Sequence, residues 1–473
     1  MNEKPIAGKS GSAPLEAGDE VYFIGIGGIG MSAVARYFHS KGVKVSGYDK
    51  TPTTLTKEME STGISIHYEE NIERIPKDPQ LVVYTPAVPG DHKELQYYQQ
   101  QGKKVLKRSD VLQLITESSF NICIAGTHGK TTITTMVAHL LRDSGFGCNA
   151  FLGGISVNYG TNFWSDPKNV CVIEADEYDR SFLKLSPDIA IITAMDADHL
   201  DIYGDAASVE QAFIDFSRKL KTDGLLVKQL ALKRGSELSA QRQLTYSLLN
   251  SSADVYAANI RMMDGSYGFD VLMKGNMLED VVLHMGGMHN VENIVAAVAV
   301  ASSLGIGNEK IKSAVASFRG VKRRFEYIIK ASNLVFIDDY AHHPEELRAL
   351  ITGAKALFQQ KKCTVIFQPH LYTRTRDFAD GFAEVLDLAD EVVLLPIYPA
   401  RELPIENVNS ELILNKMKTA TRSVKTKDEL MEWTRIEYAK KIDSKPGNVL
   451  ITAGAGDIDT LLAGIKERLE RVL

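Results

Sequence analysis

Residues 121–132 read NICIAGTHGKTT, and the fold follows from how they are parsed. Small apolar residues run into a turn bracketed by Gly126 and Gly129, after which TTITTMVAHLLRDSG reads as a helix opened by Lys130 and Thr131. A strand, a glycine turn and a helix in that order hold a nucleotide triphosphate. Backbone N–H groups line the turn, the helix N-terminus carries partial positive charge, the lysine reaches the outer phosphates and the hydroxyl meets Mg²⁺. Only Thr127 and His128 separate the two glycines, so the loop is shorter than G-x-x-x-x-G-K-[ST]. The alternative is a tight strand–helix turn carrying a chance Gly-Lys-Thr. The expectation is ATP as a substrate, with Gly126, Thr127, His128, Gly129, Lys130, Thr131 and Thr132 around its phosphates.

Upstream, VYFIGIGGIGMSAVARYFHSKG (21–42) carries Gly25, Gly27, Gly28 and Gly30, which satisfy G-x-G-x-x-G, and VKVSGYDK (43–50) ends near Asp49. That is the dinucleotide-fold fingerprint, although any nucleotide diphosphate makes the same demand on the backbone. LVVYTPAVPGDH (81–92) reads as a further strand whose loop holds Thr85. The segment to about residue 118 has the form of a small parallel α/β domain.

Downstream, residues 170–204 hold two apolar strands, each ending in acidic groups: Glu174, Asp176, Glu177 and Asp179, then Asp196, Asp198, His199 and Asp201. Ligands of parallel sheets sit outside the carboxyl ends of the strands, and carboxylates beside a phosphate loop suit Mg²⁺. Taken singly, each acidic residue has the alternative of being a solvated loop group. After a β-rich stretch, GGMHNVENIVAAVAVASSLG (286–305) opens a helix with Asn290 and Asn293 one turn apart, placed to meet an adenine edge or to cap the helix. A third strand–helix alternation begins near residue 332. Its strand ends present Asp338 and Asp339, a His342–His343 pair, and then His370, Arg374 and Arg376. The join at VKRRFEYIIK (321–330) carries Arg323 and Arg324.

With 473 residues, two to four domains are expected. Hydrophobic content of 44% and charged content of 24% are those of a soluble globular protein. A net charge of −6 with no long basic run argues against nucleic acid or an anionic membrane as partner. Cys123, Cys148, Cys171 and Cys363 form no C-x-x-C pair and read as reduced, partly buried thiols, which fits the cytoplasm. Residues 1–20 hold no apolar core of signal-peptide length, and nowhere do eighteen apolar residues run together. Residues 1–18 read as a disordered tail.

Eight motifs, AGTHGKTT, EADE-x-D-x-SFL, DADHLDIY, HNVEN, F-x-GVKRRFE, DDYAHHPEE, FQPH-x-YTRT and AGAGDI, follow one another in the order of the Mur ligases. The resemblance spans about residues 20 to 460. It implies an α/β fold of three domains, each on a mainly parallel sheet: a Rossmann-like domain for a UDP-sugar (19–118), a P-loop-type ATPase (119–328) and a Rossmann-like domain for an amino acid (329–473) that closes over the active site. The implied reaction joins the lactyl carboxylate of UDP-N-acetylmuramate to the amine of L-alanine, with ATP going to ADP and phosphate. Lys130 would act on the β- and γ-phosphates, and Thr131 and Glu174 would hold Mg²⁺. His199 would hold a second ion, with Mn²⁺ able to substitute.

Further roles are carried over by the same resemblance. His289, Asn290 and Asn293 would meet adenine, and Arg324 and Asp339 would reach ATP or else form an interdomain salt bridge. Gly27, Gly28, Ile29 and Gly30 would cradle the diphosphate, with Asp49 and Thr85 near the uridine. His343, His370 and Arg374 would face the amino acid. Two departures stand out. VEQAFIDF (209–216) offers no lysine for carbamylation, and Leu371 stands where relatives often have arginine. The competing readings are a peptide-recycling ligase on the same sugar, an NAD-dependent oxidoreductase and a non-catalytic UDP-sugar sensor. Monomer and homodimer are equally compatible with the sequence.

Overall fold

The computed structural model describes residues 15–196, 200–400, 402–442 and 446–473. His199 and residues 1–14 of the expected tail therefore lie outside the described residues. Leu15 to Gly18, assigned to that tail from sequence, are held in place: Leu15 is buried and Gly18 N donates to Gly42 O at 3.1 Å.

Three sheets appear, as expected. In the first, Glu20–Ile24 (β1), Lys44–Tyr48 (β2), Ser65–His67 (β3), Leu81–Tyr84 (β4) and Val105–Lys107 (β5) run parallel in the order β3-β2-β1-β4-β5. The order reverses between β1 and β4, so the crevice for a ligand opens there, at the carboxyl ends of the strands.

The second sheet has ten strands. They are Phe120–Ala125 (β6), Asn149–Ser156 (β7), Thr161–Trp164 (β8), Val170–Glu174 (β9), Ile189–Ile192 (β10), Leu225–Gln229 (β11), Arg242–Ser247 (β12), Val255–Met263 (β13), Ser266–Met273 (β14) and Asn276–Leu283 (β15). Their order is β15-β14-β13-β12-β11-β10-β6-β9-β7-β8. β6 is flanked by β10 and β9, both parallel, and buries both faces, which explains its unbroken apolar run. The helix Lys130–Asp143 follows it despite four threonines. Thr134 and Thr135 donate back to the carbonyls of Lys130 and Thr131 at 2.7 and 2.8 Å, so their hydroxyls are satisfied within the helix.

The third sheet comprises Glu326–Lys330 (β16), Leu334–Asp339 (β17), Lys362–Phe367 (β18), Glu391–Leu394 (β19), Arg422–Val424 (β20) and Asn448–Ala453 (β21). The order is β16-β17-β21-β18-β19-β20, with only β16 antiparallel.

By its contacts the chain divides into two compact units: residues 1–259, 269–281 and 292–318, and residues 260–268, 282–291 and 319–473. In the first unit one apolar cluster runs through both the first and second sheets, from Val21 and Phe38 to Cys123 and Phe213. Its bridge is aromatic, with Tyr37 packed on Phe151 at 5.3 Å and Phe151 edge-on to Phe163 at 5.3 Å. The second unit has its own core around Phe336, Ile366, Leu450 and Trp433. All four cysteines are unpaired and buried, and desolvation pushes their thiols up, Cys171 to about 11 and Cys363 to about 12. No helix among the described residues is long and apolar enough to cross a membrane.

Candidate active site

The phosphate loop leaves β6 at Gly126, whose φ of +137° only glycine adopts readily, and a Cβ there would stand 1.9 Å from Thr193 Oγ1. Residues after β10 brace the loop. Thr127 N donates to Ala194 O at 3.2 Å, Asp196 N donates to Thr127 Oγ1 at 3.2 Å, and Thr193 Oγ1 donates to His128 O at 2.5 Å. His128 is exposed and 3.5 Å from the exposed Asp196 carboxylate. Gly129 caps the helix, and Thr132 is buried in its first turn.

Lys130, Thr131 and Glu174 converge here. Lys130 Nζ donates to Gly126 O and to Glu177 Oε1, each at 2.7 Å. Thr131 Oγ1 donates to Glu174 Oε1 at 3.0 Å, and Gly153 N donates to Glu174 Oε2 at 3.0 Å. A Cβ on Gly153 would lie 2.2 Å from that carboxylate, so β7 must carry glycine where it passes β9. Desolvation raises the Glu174 carboxyl above the ordinary range, against the pull of Lys130 and Thr131. Glu177 is buried, and its Oε2 has no hydrogen-bond partner. The donors assembled are hydroxyl and carboxylate oxygens with one orphaned carboxylate oxygen beside them, a set suited to Mg²⁺ shared with phosphates. Among the described residues no three His, Cys, Asp or Glu side chains converge as a metal site of their own.

Asn293 joins the same loop, its Oδ1 3.0 Å from where a Gly129 side chain would begin. Asn290 is placed differently. It is buried, and its Nδ2 donates to Gly286 O at 2.7 Å, closing the turn that opens the helix Met288–Ser303. Of the two amides expected at an adenine edge, Asn290 spends a donor on its own turn. The His289 ring folds back against Gly287.

In the first sheet, Gly27 N donates to Asp49 Oδ2 at 2.8 Å, so Asp49 holds the glycine loop from the end of β2. Thr85 packs its methyl against Gly25, and Gly28 is the uncapped N-cap of the helix Ile29–Ser40. Gly28, Ile29 and Gly30 thus form the opening of that helix, above the crevice between β1 and β4.

The second unit holds the remaining candidates. Asp339 is committed to backbone, accepting from Phe325 N and Ala341 N at 2.7 Å each, and Arg324 lies over the Tyr340 ring at 5.4 Å. Desolvation raises the Asp339 carboxyl, opposed by Arg324. His370 Nδ1 is 3.5 Å from Arg374 Nη1, and its ring stacks on Tyr398. The neighbouring histidine in this cluster is His342, with ring centres 6.0 Å apart, whereas His343 turns onto Phe378. Desolvation, Arg374 and His342 hold the His370 ring below its usual pKa, so it is neutral near pH 7. Leu371 opens the short helix Tyr372–Asp377 at φ +69°, a conformation rare outside glycine.

Sequence reasoning missed Glu177, His342 and Gly153 as parts of these clusters. Glu177 was visible as an acidic residue, and His342 as one of a pair. Gly153 lies in a strand with no motif of its own.

Comparison with known proteins gives a consistent result. Three family profiles match in order: "Mur ligase family, catalytic domain" over residues 20–119, "Mur ligase middle domain" over 124–301 and "Mur ligase, glutamate ligase domain" over 323–456. The UDP-N-acetylmuramate–L-alanine ligase of Flavobacterium johnsoniae is 45% identical over 95% of this chain and 98% of its own. That of Phocaeicola vulgatus is 48% identical over 94% and 97%. Among solved structures, the UDP-N-acetylmuramate-alanine ligase of Thermotoga maritima superimposes with a TM-score of 0.80 at 31% identity, over 96% of this chain and all of that one. A murein peptide ligase from Psychrobacter arcticus shares the fold at a TM-score of 0.64 and 23% identity.

Proposed function

The chain belongs to the Mur ligase family, and we propose that it is the ligase joining L-alanine to UDP-N-acetylmuramate at the expense of ATP, in peptidoglycan precursor synthesis. The single observation that carries this reading is the match to alanine-adding relatives at 45–48% identity along nearly the whole of both chains. The convergence of Lys130, Thr131 and Glu174 on the glycine loop supports it chemically. In this reading residues 19–118 bind the UDP-sugar, 119–328 bind ATP and 329–473 bind the amino acid, in the cytoplasm.

A carboxylate at neutral pH is a poor acyl donor. The lactyl carboxylate therefore attacks the γ-phosphorus of ATP, ADP departs, and an acyl phosphate remains. The alanine amine adds to its carbonyl, and the tetrahedral intermediate expels phosphate as the amine loses its proton. Such a transfer asks the protein for positioning and charge neutralisation. Lys130 stabilises the charge developing between the β- and γ-phosphates. Thr131 and Glu174 are the residues to hold Mg²⁺, whose chemistry is to neutralise and polarise the phosphates. A second ion would fall to His199, and Mn²⁺ meets the same oxygen donors. Asn293 lies at the loop's edge for the nucleotide. Arg374 pairs with the alanine carboxylate as a bidentate donor.

The test is phosphate release from ATP with UDP-N-acetylmuramate, the amine being varied among L-alanine, glycine, L-serine and a tripeptide. L-Alanine should be used best. Glycine should follow by a modest factor, about 10- to 200-fold, since one methyl group in an apolar pocket yields no more. Release driven only by the tripeptide would make the protein a recycling ligase instead.

A further inference from the structure

The guanidinium of Arg108 lies against the glycine loop of the first sheet, where neither the fingerprint nor any motif calls for a side chain. Its Nη1, Cζ and Nε are 2.8, 3.0 and 3.2 Å from the point where a Cβ on Gly30 would stand. Arg108 begins the helix Arg108–Ser118, directly after β5. β5 is separated from β1 only by β4, so Arg108 reaches the β1/β4 crevice from the side opposite to Asp49. The reversal of strand order makes that crevice the place where a ligand of this fold sits.

The guanidinium has no hydrogen-bond or ion-pair partner among the described residues. The carboxylates that could have neutralised it are engaged elsewhere. Asp110 pairs with Lys184 and accepts from Lys107 N at 3.0 Å, and Asp49 accepts from Gly27 N and Thr51 N. A half-buried cation without a counter-charge is unfavourable unless an anion arrives. The loop beside it has backbone donors to offer an anion: Gly25, Ile26 and Gly27 spend theirs on Tyr48 O and Asp49, whereas the helix that starts at Ile29 has no side-chain cap.

We propose that Arg108 binds the diphosphate of the UDP-sugar, its planar fork facing the amides of Ile29 and Gly30 across the phosphate oxygens. Gly30 is then glycine for a second reason: any side chain there would displace the guanidinium. The proposal deepens the UDP-sugar reading of the first domain and rests on it.

The test is calorimetric binding of UDP and of uridine to the full-length protein, together with steady-state kinetics, for wild type, Arg108→Ala and Arg108→Lys. In Arg108→Ala, UDP affinity and the KM for UDP-N-acetylmuramate should worsen by about tenfold or more, the loss expected for a charge-assisted bidentate contact. The KM values for ATP and L-alanine and the thermal midpoint should stay near wild type, and Arg108→Lys should recover only part of the loss. Uridine, lacking phosphates, should bind all three proteins equally. UDP bound equally well by wild type and Arg108→Ala would overturn the role of Arg108 and leave the domain reading standing. Failure of wild type to bind UDP at all would overturn both. Parallel losses for UDP, uridine and ATP would mean that Arg108 only supports the fold, which also overturns the proposal.

Discussion

Lys130 is held between Gly126 O and the buried Glu177, both at 2.7 Å, so its ammonium is aimed along the phosphate loop. A charge fixed at that point matters most when charge develops on the transferring phosphate. Lys130→Ala should therefore lower turnover by at least about a hundredfold, the scale seen when one preorganised donor is removed from a transition state. The KM for UDP-N-acetylmuramate should barely move, because the diphosphate loop is on another sheet. Near-normal turnover would refute the phosphate-loop assignment. The sequence made Lys130 legible through its neighbours Gly129 and Thr131. It did not separate Glu174 from Glu177, since both lie in one acidic run. Their partners differ because Glu174 ends β9 and faces Thr131, whereas Glu177 lies three residues on, in the turn before Tyr178–Lys184, and faces Lys130.

Strand ends are the elements that carry chemistry here, and two predictions belong to them. The end of β18 leads to His370 and Arg374. If Arg374 holds the alanine carboxylate, Arg374→Ala should raise the KM for L-alanine steeply, since losing one partner of a desolvated ion pair costs about 2–5 kcal/mol. Arg374→Lys should restore only part of it. Unchanged L-alanine kinetics in Arg374→Ala would move the carboxylate site elsewhere. At the end of β17, burial pushes Asp338 up from 3.8 to about 7, although Thr452 donates to it at 2.6 Å and Arg323 lies 3.5 Å away. Below about pH 4 both folded and unfolded chains hold this proton. Between there and about pH 7 the unfolded chain releases it first, so stability falls as pH rises, by on the order of 4 kcal/mol in total. Asp338→Asn cannot ionise. Its thermal midpoint relative to wild type should climb from pH 5 to pH 7.5, and a constant difference would contradict the assignment. The alternation of apolar strands with helices was readable because parallel strands bury both faces, as β6, β10 and β17 do. The choice between His342 and His343 was not readable. It depends on the start of the helix Pro344–Leu357, where the Glu346 carboxylate accepts from both backbone amides and the two rings diverge.

For the molecule as a whole, three α/β domains were evident from three strand openings, while the sharing of a core between the first two sheets was not. Phe151 and Phe163 pair across the neighbouring strands β7 and β8, but Tyr37 is far from both in sequence, and nothing in the chain announces that it meets them. The packing holds the helix that follows the diphosphate loop against β7 and β8, and Asn162 fixes it by donating to Ile29 O at 2.6 Å and Ser32 Oγ at 2.9 Å. The two glycine loops are thereby carried on one body. In the proposed reaction the lactyl carboxylate is activated by phosphoryl transfer from ATP before alanine attacks. The most direct test of this uses UDP-N-acetylmuramate labelled with oxygen-18 in that carboxylate, with mass analysis of the phosphate released in the presence of L-alanine. One labelled oxygen in each released phosphate is the predicted result; phosphate free of label would contradict it.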